Sequence, residues 1–309
     1  MKHLVTGSRG FLGSALLPAL GPDAVGLDLP ECDVMWDADG NNPDSPLDFY
    51  VGTKKPETVW HLAALNGSTQ GFYDRPWDVL NVQVRGTLNV IDACVANGVK
   101  TLVLFSSSEV FQAPPKIPTP EDVPLTVPDL TNPRYSYGGG KIAAELMAWW
   151  SPIPRVVICR PHNVYGVGQK PGHVIADFID RALSTPDGGT FDIHGSTTRS
   201  FIYIDDFVAG VLAAAKHVES LPGDRIREVY NVGTEEQVST VALAGMVSKA
   251  CGRERDGRYA YRFKTHDGPA GGTRSRCPDT RKLRATGWEA KVKLEEGLRR
   301  VVAYREGRK

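Results

Sequence analysis

Cysteine is scarce in this 309-residue chain: Cys32, Cys94, Cys159, Cys251 and Cys277 are scattered, with no CxxC pair. That excludes a disulfide framework and the usual zinc-ribbon spacing. Reduced thiols are expected instead, and with them a cytoplasmic location. Long apolar runs are missing too. The longest, Phe207 to Ala215, has nine residues, about half of what crosses a bilayer. No signal peptide is expected, because KHLVTG begins a strand-like pattern directly after Met1. Net charge is also absent, with 36 basic and 36 acidic residues, which argues against bulk nucleic-acid binding. Nor does the sequence carry an internal repeat or a low-complexity tract.

What remains is an ordinary globular composition, 41% hydrophobic and 23% charged, with a length that favours two domains over one. The charge is uneven. From Arg253 onward 17 Lys or Arg face 8 Asp or Glu, so the C-terminal stretch is basic and the rest acidic. Such an excess is either a solvated tail or, in part, a surface for an anionic small molecule.

Up to about residue 165 strand-like and helix-like stretches alternate. KHLVTG, AVGLDL, ETVWHLAA, TLVLFSSS and RVVICRP read as strands. Between them lie helices at FLGSALLPAL, at NVQVRGTLNVIDACVANG and from about Ser136 to Trp150. This rhythm predicts an α/β fold, a doubly wound parallel sheet whose ligands bind at the carboxyl ends of the strands. Residues 1–165 are expected to form a nucleotide-binding domain, and 166–309 mostly a smaller substrate domain interleaved with it. In the second part helices are expected at HVIADFIDRAL, FVAGVLAAAKHV, TVALAGMVSKACG and LEEGLRRVVAYRE, with strands at RSFIYI and EVYNVG. Ala113 to Pro133, with seven prolines, reads as an extended loop.

The opening VTGSRGFLGSAL places Gly7, Gly10 and Gly13 after a strand and into a helix. Glycine lets the backbone approach a pyrophosphate, and the helix N-terminus offers free N–H groups. Asp28 ends the next strand, where a carboxylate grips an adenosine ribose. It would repel a 2′-phosphate, so NAD is expected over NADP; Arg9 in the loop could soften that preference.

Tyr137 and Lys141 lie four apart in RYSYGGGK, one turn apart on one helix face. A nearby ammonium stabilises a phenolate, so Tyr137 is expected to work as a base well below its ordinary pKa of about 10. Ser107 and Glu109 stand some thirty residues upstream. No metal site is expected, since His162 has no cluster of partner ligands.

Together TGxxGxxG, HLAA, SSSEVF, YxxxK and RPHNVYG resemble the extended short-chain dehydrogenase/reductases, specifically the NAD-dependent epimerase/dehydratase family acting on nucleotide sugars. The resemblance runs from Lys2 to about Leu298. It implies a Rossmann-type fold, and a cofactor path through Phe11 and Leu12 of the glycine loop, Asp33 and Val34 at the adenine, and Leu62, Ala63 and Ala64. It implies that Ser107 bonds the sugar hydroxyl, Tyr137 is the acid/base, Lys141 holds the ribose, and His162 and Val164 lie near the nicotinamide. Asn163, Arg199, Arg276 with Arg274 beside it, and Ser108 would contact a nucleotide-diphosphate sugar. Helices near Asn89 to Ala96 and Lys141 to Trp150 match those of a four-helix homodimer interface, with Leu146, Trp149 and Trp150 shared between subunits.

Two departures stand out: Phe111-Gln112 replaces the usual Tyr-Gly, and Gly138, Gly139 and Gly140 interrupt a helix. Glu109 leaves the reaction open. A 4-epimerase needs only Ser, Tyr and Lys, and that reading is preferred, because Ser108 stands where many dehydratases carry an acid. A 4,6-dehydratase, UDP-glucuronate decarboxylase or 4-oxidase using Glu109 is the alternative, and a non-catalytic NAD-sensing protein a remote one. No membrane or nucleic-acid partner is expected.

Overall fold

A computed structural model describes residues 2–29, 31–35, 46–65, 73–268 and 272–307. Six parallel strands form the central sheet: β1 (His3–Thr6), β2 (Ala24–Leu27), β3 (Thr58–His61), β4 (Thr101–Phe105), β5 (Arg155–Pro161) and β10 (Ile226–Val232). Four short strands lie between β5 and β10: β6 (Val164–Tyr165), β7 (Thr190–His194), β8 (Thr198–Ser200) and β9 (Ile202–Tyr203). The order across the sheet is β10-β5-β4-β3-β1-β2. The chain reverses its direction of winding between β1 and β3, which opens a crevice at their carboxyl ends.

Residues along these strands alternate between two cores. Val5, Trp60, Val103, Phe105, Val157 and Cys159 face one; Leu4, Val59, Leu102, Leu104, Val156 and Ile158 face the other. Period-two geometry makes that unavoidable, and burial on both faces is why the strands read as unbroken apolar runs. Helices α1 (Phe11–Ala19) and, from further along the chain, Ile204–Ser220 cover the first face. The second is covered by α2 (Pro46–Lys54), Thr87–Ala96 and Tyr135–Trp150. Each fully buried aliphatic or aromatic side chain contributes about 1.5–3 kcal/mol.

Two expected elements come out differently. The single helix expected over NVQVRGTLNVIDACVANG is continuous but begins earlier and changes its hydrogen bonding midway: α3 (Pro76–Asn81) runs through a π-helical turn at Val82–Gly86 into α4 (Thr87–Ala96). RSFIYI is two strands rather than one: β8 pairs with β11 (Gln237–Ser239), while β9 pairs with β6. Phe201 separates them, and each half serves a different sheet. Further strands follow at β12 (Glu254–Arg255), β13 (Arg258–Tyr259), β14 (Arg262–His266) and β15 (Ser275–Arg276). β15 runs parallel to β8 and sets Arg276 opposite Arg199.

Helix α5 (Tyr135–Trp150) packs on α3, the π-helical turn and the loop after β4, and its three glycines now divide by role. A Cβ on Gly138 would lie 2.7 Å from the Glu109 carbonyl oxygen, and one on Gly140 2.7 Å from the Gln83 Cβ. A Cβ on Gly139 would meet only Val127, at an ordinary 3.5 Å. Gly139→Ala should therefore stabilise the fold by about 0.5–1 kcal/mol through helix propensity. Gly140→Ala should destabilise it by about 1–3 kcal/mol through overpacking. Denaturant melts of the two variants against wild type check the opposite signs.

Candidate active site

The turn between β1 and α1 is built by close approach. Gly7 adopts φ +72°, and a Cβ there would sit 2.6 Å from the Ala63 nitrogen; one on Gly13 would sit 2.2 Å from the Gly7 carbonyl oxygen. Only glycine lets this turn lie against the exit of β3. Beside it opens a groove of about 570 Å³, lined by Gly7, Gly10, Asp28, Asp33, Val34, Leu62, Ala63 and Ala64 among others. Phe11, Leu12 and Gly13 open α1 and do not line the groove. The Asp28 carboxylate accepts backbone N–H groups of Arg9 (2.7 Å) and Leu29 (2.8 Å). The Arg9 guanidinium, which could soften the preference against a 2′-phosphate, donates to the Leu29 carbonyl and pairs with Glu31. The backbone cradle, the acidic strand end and the groove all suit a dinucleotide.

β4 ends at Phe105, and its exit carries Ser106 and Ser107 into a short 3₁₀ turn, Ser108–Val110. The Ser107 hydroxyl caps that turn, accepting from the Glu109 N–H at 3.1 Å, and also hydrogen-bonds the Tyr137 side chain. Lys141, one turn along α5, donates to the Phe105 carbonyl oxygen at 2.8 Å and lies 5.8 Å from the centre of the Tyr137 ring. Both are buried.

The expected depression of the phenol pKa is absent from this geometry. Burial pushes Tyr137 up to about 12, partly opposed by the Ser107 hydrogen bond and reinforced by the Glu109 charge. Burial likewise brings Lys141 down to about 8, against the pull of Glu145. The ammonium points to a carbonyl rather than the phenol oxygen, and desolvation of both groups outweighs their proximity.

Behind this pair lies a polar network that the motifs did not reveal. Glu145, four residues beyond Lys141, accepts from the Ser106 hydroxyl and takes both prongs of Arg160 at 2.9 and 2.6 Å. Phe111, which stands where the resemblance has tyrosine, is buried under the Arg160 guanidinium at 4.8 Å. His162 does not reach the groove with its side chain. The ring is fully buried 6.1 Å from Phe111 and 3.3 Å from the Asn231 amide oxygen, and desolvation takes its pKa down to about 3. Val164 is half-buried in β6.

The basic residues converge on one carboxylate. Arg276 donates to Glu109 at 2.7 Å, and Arg134 lies 3.6 Å from the same oxygen. The Gln112 amide takes the other oxygen at 2.7 Å. Burial alone would raise the Glu109 pKa, but Arg276, Arg134 and Gln112 hold it at about 2. Arg199, in register with Arg276, binds the Thr198, Thr273 and Arg274 carbonyls, and burial beside Arg276 lowers its pKa to about 10. Asn163, held at φ +45°, donates to the Ser200 carbonyl next to Arg199.

Of the other residues expected to contact the substrate, Arg274 is exposed and Ser108 is buried within its turn. The residue missed is Arg134, three before Tyr137, 7% exposed and with its Nε unpartnered, as is that of Arg276. Nothing but its distance from Tyr137 marked it in the sequence.

The Glu109 pairing has a pH signature. Its folded pKa lies below the unfolded one, so its contribution is complete above about pH 5 and is lost as pH falls through 2. Glu109→Gln should cost about 2–3 kcal/mol at pH 7. The difference from wild type should shrink steadily between pH 4.5 and 2 in denaturant titrations.

Residues 3–233 match the family model described as NAD dependent epimerase/dehydratase family. The chain is 31% identical to the UDP-glucose 4-epimerase of Mycolicibacterium smegmatis, over 98% of each chain. It is 28% identical to UDP-glucuronic acid decarboxylase 1 of Xenopus tropicalis, over 98% of this chain and 72% of that one. The fold superposes with a TM-score of 0.79 on the UDP-glucose 4-epimerase of Thermotoga maritima with UDP-glucose, 26% identical and covering 99% of each chain. With its glycine turn, its buried tyrosine–lysine pair and this match over most of its length, the chain belongs to the NAD-dependent epimerase/dehydratase family.

Proposed function

We propose that the protein is a nucleotide-sugar 4-epimerase that oxidises C4 of a UDP-linked sugar to a transient ketone and reduces it again. The observation that carries this reading is the Ser107–Tyr137 hydrogen bond, set over Lys141 between the dinucleotide groove and the arginine cluster. Tyr137 takes the C4 hydroxyl proton, and Ser107 holds that hydroxyl in line. NAD, held in the groove at Gly7, Gly10 and Asp28, would supply the hydride acceptor and a positive charge near the phenol. Lys141 gives up the Phe105 carbonyl to hold the ribose and support the phenolate. The ketone turns its other face, and C4 takes back the hydride it gave up while Tyr137 returns the proton to the oxygen.

Arg199 and Arg276 suit the two phosphates as planar, multidentate donors. The named relatives support a UDP sugar. No step requires a proton from C5, which fits a Glu109 already engaged by two arginines and an amide.

Decarboxylation of a UDP-linked uronate is the second reading. It is favoured by the unpartnered Nε atoms of Arg134 and Arg276, two buried cations beside the site, and by the decarboxylase relative. A C4 ketone makes the C6 carboxylate part of a β-keto acid, which loses carbon dioxide without a base. Incubation with UDP-glucose and UDP-glucuronate, followed by product NMR, separates the readings. Inverted C4 in a retained hexose or uronate supports epimerisation, and a pentose with released carbon dioxide supports decarboxylation. Tyr137→Phe should lose about 10²–10⁴-fold in turnover while still binding NAD more tightly than NADP. Near-wild-type turnover would sink its acid/base role.

The reading includes a homodimer and a cytoplasmic location. Leu146 and Trp150 on α5 are 57% and 72% exposed, next to exposed Leu88 and Val95 on α4. An apolar patch across two neighbouring helices suits a second copy, although Trp149 packs on its own core. All five cysteines are buried and none forms a disulfide, and among the described residues no helix is long and apolar enough to cross a membrane. Sedimentation at micromolar concentration should give a dimer, and Leu146→Glu with Trp150→Glu should give a monomer. A monomeric wild type refutes this assembly.

A further inference from the structure

Gln112 occupies a position where the resemblance has glycine, and its side chain fills a space that another glycine leaves open. A Cβ on Gly138 would come within 3.1 Å of the Gln112 Nε2. In that space the amide donates twice to one residue, at 2.6 Å to the Glu109 carbonyl and at 2.7 Å to its carboxylate. The Thr273 hydroxyl lies 3.2 Å from the main-chain carbonyl oxygen of Gln112 and 3.4 Å from its side-chain carbonyl oxygen, both acceptors. That hydroxyl accepts from Arg276 at 3.0 Å, and Arg276 returns to Glu109 at 2.7 Å. The four residues close a ring. It ties the turn that carries Ser107 to the strand that carries Arg276. Thr273 extends the ring to Arg199, which donates to its carbonyl at 2.7 Å.

We propose that Gln112 and Glu109 form a latch that positions the substrate-facing arginines, and that Glu109 takes no proton during turnover. The inference rests on the reading of Arg199 and Arg276 as diphosphate ligands. Both oxygens of Glu109 are engaged, one by Arg276 with Arg134 close by and one by Gln112. A carboxylate so held is a poor acceptor for a carbon-bound proton. It does neutralise one charge of the cluster formed by buried Arg134 and Arg276 and half-buried Arg199, and it aims Arg276 while leaving its Nε unspent. Gln112 is the residue that keeps the carboxylate in place if Arg276 shifts towards a phosphate. Gly138 is the counterpart that makes room for it.

The test uses the full-length protein with NAD and two variants, Glu109→Gln and Gln112→Ala. UDP binding is read by calorimetry, and turnover of the UDP sugar by kcat, KM and the pH profile of kcat. NAD affinity serves as the check that each variant is folded. A positioning role predicts that KM and the UDP Kd rise about tenfold or more, with kcat falling less than about fivefold and its pH profile keeping its shape. A base role predicts the reverse: kcat down about 10²–10⁴-fold, KM near wild type, and an acid limb lost in Glu109→Gln. That pattern overturns the proposal, as does a Gln112→Ala variant that binds UDP like wild type. A wild type that binds no UDP overturns the function reading itself. Wild-type binding that neither variant alters overturns the latch alone.

Discussion

One carboxylate, Glu109, permits two arginines, Arg134 and Arg276, to be buried together beside a half-buried Arg199. Arg134, Arg199 and Arg276 come from the start of a helix and from two paired strands far apart in sequence. Guanidinium groups removed from water at this density repel one another and lose hydration, a cost of several kcal/mol per ion unless partners compensate. Glu109 offsets one charge outright, and carbonyls of residues 198, 273 and 274 satisfy Arg199. The remaining positive potential has no counter-ion within the described chain. It is a standing demand for an anion, held by the protein at the expense of its own stability.

The proton inventory of the resting site makes a related point. The phenol is firmly protonated and the ammonium is partly neutralised by burial. Desolvation thus favours the neutral form of both groups, and positive charge near the phenol would oppose that for Tyr137. Glu145, fixed by Ser106 and Arg160 behind Lys141, limits how far that neutralisation goes.

Much of the fold was legible because the central strands are buried on both faces and the helices are bounded by turns. β3 and β4 show no exposed residue at all, so their apolar runs admit one interpretation. RSFIYI misled because an unbroken strand pattern says nothing about a change of partner at Phe201. The π-helical turn at Val82–Gly86 carries no compositional mark. It exists to bring Gln83 against Gly140, a contact set by tertiary packing. At the site, the glycine turn and Asp28 line one groove, and Ser107, Tyr137 and Lys141 gather at the exit of β4, since their spacing reflects local geometry. Arg134, Gln112 and Glu145 were invisible as site residues, because a lone polar residue acquires a role only when the fold supplies its partner. The direction of the Tyr137 shift failed for a related reason: spacing along a helix reveals proximity, while desolvation depends on everything packed around it.

β10 has a consequence for how the protein can be divided. It joins the sheet from residues 226–232 and pairs with β5 along its full seven-residue length. Cutting the chain after the first five strands would bare the backbone ladder of a long, flat, apolar strand. Such an edge recruits other chains. The first half is therefore a poor module for transplantation: its last wall is supplied by the half that holds Arg199 and Arg276, and the two must fold as one.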